Sequence, residues 1–290
     1  MLIRTPASSA NLGPGFDCFG IAWQLYNEIE FTLSDALEIV GCDEKYCNET
    51  NLAYRAYAFT LGKYGLTPDA VKIVFRETDI PVSRGLGSSS ALIAAGVLAA
   101  DRLHDLSLTE DQLLSAATEI EGHPDNVAPA LRGGFTASSM VGRNPVTVHF
   151  PLSDKLSFAA LVPPFELSTA LARGVLPKSV PHADAVFNVS RAALVLRALM
   201  DGDAELLGSA MADKLHQPYR LPLIAGSDKA IELAFSCGAR ALCISGAGST
   251  LLAVSDTASM TDRLSAMIEL LPDWRVLRLL PDTQGARGTD

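Results

Sequence analysis

Residues 81–91, Pro81-Val82-Ser83-Arg84-Gly85-Leu86-Gly87-Ser88-Ser89-Ser90-Ala91, carry the strongest chemical signal in this chain. Glycines at 85 and 87 let the backbone bend so that several N–H groups face one way, and neither puts a Cβ in front of a close ligand. The alternating run Val71–Arg76 before the loop reads as a half-buried strand, and the small apolar run Leu92–Ala100 after it as a buried helix. A helix N-terminus at this point adds unpaired N–H donors and about half a positive charge. Three serine hydroxyls stand at its mouth, and such a site suits phosphate. The same residues would also make an ordinary capping turn, where serine is favoured. No Gly-Lys-Ser/Thr ends the loop as in a Walker A motif, and the third glycine of a dinucleotide fingerprint is missing. The His-Arg-Asp and Asp-Phe-Gly signatures of protein kinases are absent too.

A second cluster gathers Glu119, Glu121, His123, Asp125 and Asn126. Acids at the end of a helix face the negative pole of its dipole and need a compensating charge. Mg²⁺ would supply it, since the ion takes one or two carboxylates together with substrate phosphates. The plainer reading has both glutamates solvated, Asp125-Asn126 capping a turn and His123 as a structural hydrogen-bonding residue. Asn11 and Asp17 flank another glycine turn at 13–15, and Ser245-Gly-Ala-Gly-Ser-Thr250 forms a third. Turn chemistry alone accounts for each. Three such turns, each at the end of a strand, suggest one shared ligand-facing surface. Arg173 and Arg220 lie among mostly apolar neighbours; they are either surface ion-pair members or, together, a clamp for a substrate carboxylate.

The elements around these residues read as mixed α and β. Strands are expected at 2–5, stopped by Pro6, then within 19–33 around a hairpin or bulge, and at 133–139, 145–150, 158–162, 241–245, 251–255 and 275–280. Helices are expected at 51–64 capped by Asn48 or Asn51, from Thr109 to Glu121, and at 184–200, 204–215, 226–237 and 258–271; residues 122–126 read as a break and 282–290 as a loose tail. The later elements suit a helix-covered antiparallel sheet. A length of 290 residues and a restart of the pattern near 150–156 suggest two units, 1–153 and 154–290. Hydrophobic residues at 48% supply a core, and a net charge of −10 argues against nucleic acid or an anionic membrane as partner. Five cysteines without a CxxC pair support neither a zinc site nor a disulfide framework. The absence of a leader pattern and of a long apolar run points to the cytoplasm.

Residues 81–91 resemble the second motif of the GHMP kinases. Ser9-Ala-Asn11-Leu-Gly-Pro-Gly-Phe-Asp17 resembles their first motif in its homoserine-directed form, and residues 245–250 are similar to the third. His123-Pro-Asp125-Asn126-Val-Ala-Pro129, Ala172-Arg173-Gly-Val-Leu-Pro177 and Gln217-Pro-Tyr-Arg220 look like the same branch, so the likeness runs from residue 5 to residue 254. It implies ATP-dependent transfer of the γ-phosphoryl group to the side-chain hydroxyl of L-homoserine, for threonine synthesis. It also implies an α+β two-domain GHMP kinase fold. The ATP-binding domain, 1–153, would be like ribosomal protein S5 domain 2, and the second, 154–290, ferredoxin-like, with the site between them.

Carried over, Pro81, Val82, Ser83, Arg84, Gly85, Leu86, Gly87, Ser88, Ser89, Ser90 and Ala91 would hold the ATP phosphates, with Asn51 near the adenine. Ser89 and Glu121 would hold Mg²⁺, with Glu119 as the alternative ligand. Asn11, Asp17, His123, Asn126 and Thr169 would face homoserine, with Arg173 and Arg220 on its carboxylate. Asn126, Asp125 and Asp17 form the implied catalytic group; Asp17 is occupied with the amine, which leaves Asp125 as the one remaining base candidate in a mechanism otherwise driven by positioning. Ser249 stands where the third motif usually has Pro, and the stretch between the acidic helix and Asp125 is short. Rival readings are a related kinase acting on mevalonate, a sugar or a diphosphocytidyl polyol, and a silent nucleotide-binding regulator. A homodimer is one assembly compatible with the sequence, which does not itself reveal an oligomeric state.

Overall fold

The computed structural model describes residues 1–289. The first half builds one sheet and the helices that cover it. Strands β1 (Leu2–Ala10), β2 (Phe19–Leu33) and β3 (Glu38–Val40) precede helix α1 (Leu52–Lys63) and strand β4 (Val71–Thr78). Helices α2 (Ser88–Leu103), α3 (Glu110–Glu121) and α4 (Pro124–Arg132) follow, then the hairpin β5 (Phe135–Val141) and β6 (Asn144–Phe150). The second half runs β7 (Ser157–Val162), α5 (Thr169–Gly174), α6 (His182–Asp201), α7 (Ala204–Ala210), α8 (Gln217–Arg220), α9 (Ser227–Ser236), β8 (Ala241–Ile244), β9 (Leu251–Ser255), α10 (Met260–Met267), β10 (Arg275–Leu279) and β11 (Arg287–Thr289).

Several sequence expectations change here. Pro6 does not stop β1, because it sits at a bulge where the register against β2 shifts between Pro6 and Ala7, and a bulge tolerates the missing N–H. Residues 19–33 make one 15-residue strand with no hairpin inside it, and the bulge alternative holds: its register shifts against β1 between Trp23 and Tyr26 and against β4 between Glu28 and Ile29. The break at 122–126 is only two residues long: Gly122 ends α3 at φ 96°, His123 is extended, and Pro124 opens α4 in the first helical turn, where its missing N–H costs nothing. The helix expected over 204–215 stops at Ala210. The tail is not loose: β11 pairs with β1, so the last described residues of 154–290 complete the first sheet.

That sheet has the order β11-β1-β2-β4-β3, with β5 and β6 attached through β2. Its helix-covered face buries Ile29, Phe31 and Ile73 against Tyr57, Leu61, Ala95 and Ala99 of α1 and α2. The second sheet, β10-β7-β9-β8, has its strands in the 4-1-3-2 order of a ferredoxin-like unit. Strict alternation assigns its two faces. Phe158, Ala160, Leu252 and Val254 join Trp23, Phe135, Val195 and Leu207 in one core shared by both sheets, whereas Ala159, Leu161, Leu251 and Ala253 pack under α9 and α10. Trp23 anchors this shared core, its ring 5.1 Å from that of Phe158 and its indole N–H donating to Ser9 Oγ at 2.8 Å.

Candidate active site

The three glycine turns meet. The backbone N–H of Ser8 donates to Leu86 O at 3.1 Å, that of Gly246 to Ala10 O at 3.0 Å, and that of Thr250 to Arg84 O at 3.0 Å. Asn11 Nδ2 donates to Gly246 O at 2.6 Å. Close packing of the turns explains the glycines at 85 and 87. A Cβ on Gly85 would lie 2.2 Å from Ser245 O and one on Gly87 2.1 Å from Ser8 Oγ, and both residues adopt positive φ, 78° and 70°. Asn11, Leu12, Asp17 and Ser83 also have positive φ, so backbone strain concentrates at these turns.

Gly87 caps α2 without a side-chain bond, and the N–H groups of Ser88, Ser89 and Ser90 precede Ala91 N, which donates to Gly87 O. These residues open on a cavity of about 780 Å³ that runs from Cys42, Tyr46 and Asn51 to Arg173 and Arg220. Asn51 lines its far end with its side chain already engaged: Oδ1 caps α1 at Ala53 N and Nδ2 donates to Tyr46 O. An adjoining cavity of about 540 Å³ shares Ser89, Glu121, His123, Thr169 and Arg173 as lining and adds Asp17.

Glu121 ends α3 beside the serines. Ser90 Oγ donates to Glu121 Oε1 at 2.9 Å and Ser89 Oγ at 3.4 Å, and burial raises the pKa of this carboxyl. Among the described residues no basic side chain forms an ion pair with it. Glu119 is different: it is exposed, pairs with Lys63 and lines neither cavity, so the alternative metal ligand is set aside. Successive positions on a helix near 100° apart explain why two acids two residues apart face different ways.

At the other end, Arg173 of α5 holds Asp17 through two bonds of 2.8 and 3.2 Å. Burial lowers the pKa of this guanidinium, but the Asp17 bond and charge outweigh it and the net shift is upward. Arg220 is 1% exposed, with Nε donating to Ala172 O at 3.1 Å and Nη1 to Gly246 O at 3.3 Å. Among the described residues it has no carboxylate partner, and burial depresses its pKa. Asp125, 1% exposed, uses Oδ1 on His123 Nδ1 and on the Asn126 N–H, while Oδ2 is buried without a partner. Burial lowers the pKa of His123, yet the bond to Asp125 and its charge prevail and raise it.

Asn11, Asn51, Val82 to Gly85, Gly87 to Ser90, Glu121, His123, Asp125, Asn126, Thr169, Arg173 and Arg220 therefore line one cavity, and Asp17 the adjoining one. Pro81 does not line it, and Leu86 and Ala91 are core residues. The Arg84 guanidinium donates to the carbonyls of Val82, Pro163 and Pro164. Sequence reading passed over Ser8, whose hydroxyl donates to Asn126 Oδ1 at 3.0 Å; a serine within a strand carries no local signal of that role. Asp213 and the contact of His216 with Arg220 were passed over as well. The Gly248–Ser249 peptide, at the departure in the third motif, is cis.

A glycine loop opening a helix, an acid without a basic partner beside it and a charged pocket at one end, on this pair of sheets, suit a small-molecule phosphotransferase. Residues 51–134 match the GHMP kinases N terminal domain and residues 195–271 the GHMP kinases C terminal domain, and the chain belongs to the GHMP kinase family. Within that family it is 41% identical over 287 residues to a homoserine kinase of Clostridium botulinum (strain Okra), covering 98% of this chain and 96% of the relative. It is 40% identical over 288 residues to a homoserine kinase of Clostridium beijerinckii, covering 98% and 97%. The crystal structure of a homoserine kinase from Cytophaga hutchinsonii superposes with a TM-score of 0.88 at 28% identity, covering 99% of this chain and 96% of the other.

Proposed function

We propose that the chain transfers the γ-phosphoryl group of ATP to the side-chain hydroxyl of L-homoserine, giving O-phospho-L-homoserine for threonine biosynthesis. The observation that carries this reading is the charge pattern at the cavity end: Asp17 bridged to Arg173, with Arg220 buried and, among the described residues, lacking a carboxylate partner. A buried guanidinium without a counter-ion is costly, so the pocket favours an anionic ligand group. An α-amino acid brings an ammonium for Asp17 and a carboxylate for the two arginines, replacing the bridge now made between them. Mevalonate has no ammonium and leaves Asp17 unmatched.

Phosphoryl transfer asks for alignment and charge neutralisation more than covalent help. The loop N–H groups at the start of α2 would bind the triphosphate, as helix N-termini bind phosphate. Glu121 and Ser89 fit Mg²⁺, because the carboxylate stands without a basic partner beside a hydroxyl and an anion loop. When bound, the ion would neutralise charge on the phosphate oxygens. Ser8 fixes the Asn126 amide, and Asp125 orients His123 by the bond at Nδ1. We assign no general base. All five cysteines are free, in keeping with a cytoplasmic enzyme. An ADP-release assay with paired substrates tests the reading: kcat/KM for homoserine should exceed that for mevalonate by at least about 10⁴-fold, as for sites built to pair a substrate's polar groups. A preference for mevalonate would overturn it.

A further inference from the structure

Arg220 ends α8, a helix of four residues, too short to hold its own position. A buried polar bracket holds it instead. Asp213 Oδ2 accepts from the N–H groups of His216 (2.9 Å) and Gln217 (2.6 Å), and Oδ1 from Leu215 N (2.9 Å) and Asn188 Nδ2 (2.6 Å). Asn188 Oδ1 accepts from Lys214 N, and Gln217 Oε1 from Ile244 N, which ties the segment to α6 and β8.

His216 is the member that reaches the site. Its imidazole is fully buried and stacks on Phe16 at 5.1 Å, in the first glycine turn. Nε2 lies 2.8 Å from Gly13 O, and a carbonyl accepts only, so Nε2 carries the proton. The other nitrogen, Nδ1, lies 3.4 Å from Arg220 Nη1, a group that donates only. Both contacts are satisfied by one species, the neutral Nε2–H tautomer. Burial lowers the pKa of this imidazole, which agrees with that species.

We infer that His216 is a positioning residue: by donating to Gly13 O and accepting from Arg220, it sets the Arg220 guanidinium relative to the Asn11–Asp17 turn, and so fixes the spacing at which an ammonium and a carboxylate are held together. The inference rests on the proposed amino-acid substrate. Arg220 acts there on the carboxylate alone, so His216 should matter only for substrates that have one.

The test compares homoserine with 3-aminopropan-1-ol, the same amino alcohol without the carboxylate, in the wild type, His216→Gln and His216→Asn. Gln keeps a donor for Gly13 O and loses the acceptor for Arg220; Asn does the reverse. In His216→Gln the ratio of kcat/KM for homoserine to that for 3-aminopropan-1-ol should fall about tenfold, the scale of one hydrogen bond to a charged group. The fall should come through KM for homoserine, with KM for ATP held within about twofold. His216→Asn should keep a ratio nearer the wild type. An unchanged ratio in folded His216→Gln would overturn the inference. Loss of the folded state in both variants would overturn it as well, since the imidazole would then serve the fold and not the clamp. A wild type that turns over neither compound would sink the substrate reading instead.

Discussion

Arg173 and Asp17 bridge each other across 156 positions of sequence, and both are about one-third exposed. An ion pair this open contributes little to stability, and the proposed function gives it a role in ligand contact instead. Arg173→Ala should raise KM for homoserine by about 10- to 100-fold, the range for hydrogen bonds to charged groups, and leave KM for ATP unchanged. Steady-state kinetics with each substrate varied in turn will show it. Asp125→Asn tests the absence of a general base. Asn retains an acceptor for the His123 bond and removes the carboxylate at the unpartnered Oδ2 position. Its kcat should fall by less than the about 10²-fold lower limit for losing an acid–base group. A larger fall with KM values intact would make Asp125 the base. Mostly apolar neighbours in sequence marked Arg173 and Arg220 as either surface ion-pair members or a carboxylate clamp. They gave no sign that Arg220 is buried, because the carbonyls of Ala172 and Gly246 that receive its guanidinium come from distant segments.

At the scale of elements, the α2 N-terminus is held by the contacts among three loops. Gly87→Ala should cripple the enzyme, because a Cβ would lie 2.1 Å from Ser8 Oγ on a residue at φ 70°. The expected result is a KM for ATP raised at least tenfold, on the order of the 1–2 kcal/mol penalty for left-handed non-glycine backbone. Gly62→Ala is the matched control: it lies in α1, open space surrounds its Cβ, and the change should stabilise the protein by about 0.5–1 kcal/mol in urea unfolding. Capping signals were legible for α1 and α3, where Asn51 and the Thr109–Gln112 capping box act as their residue types dictate. Helix α4 was not. Residues 122–126 read locally as a break, whereas Val127 and Ala128 pack into a core with Ile93, Val97, Leu114 and Ala117 of the neighbouring helices and the segment from Pro124 is helical.

At the scale of the whole molecule, the last described strand, β11, ties the second half to the first sheet. After β10 the chain returns along β2, where Asp282 N donates to Ala22 O and Gly134 N to Asp282 O. The Asp282 carboxylate, buried, accepts from Tyr26 Oη at 2.7 Å and from the N–H groups of Gln284 and Gly285. Asp282→Ala strands these donors and should cost about 2–4 kcal/mol, lowering Tm by about 4–8 °C, with turnover at 25 °C retained because the residue is remote from the cavity. A differential scan with activity measured beforehand will decide. Three residues of β11 have no pattern of their own to read; their partner β1 defines them. The same holds for the core shared by the two sheets, which alternation supplies but topology assigns.

The most direct test of the account is phosphorus NMR of the product formed from homoserine and ATP. The proposed binding of ammonium and carboxylate at Asp17, Arg173 and Arg220 predicts a phosphate ester whose signal couples to a methylene pair, with ADP appearing in equal amount. An acyl phosphate, or inorganic phosphate alone, would contradict it.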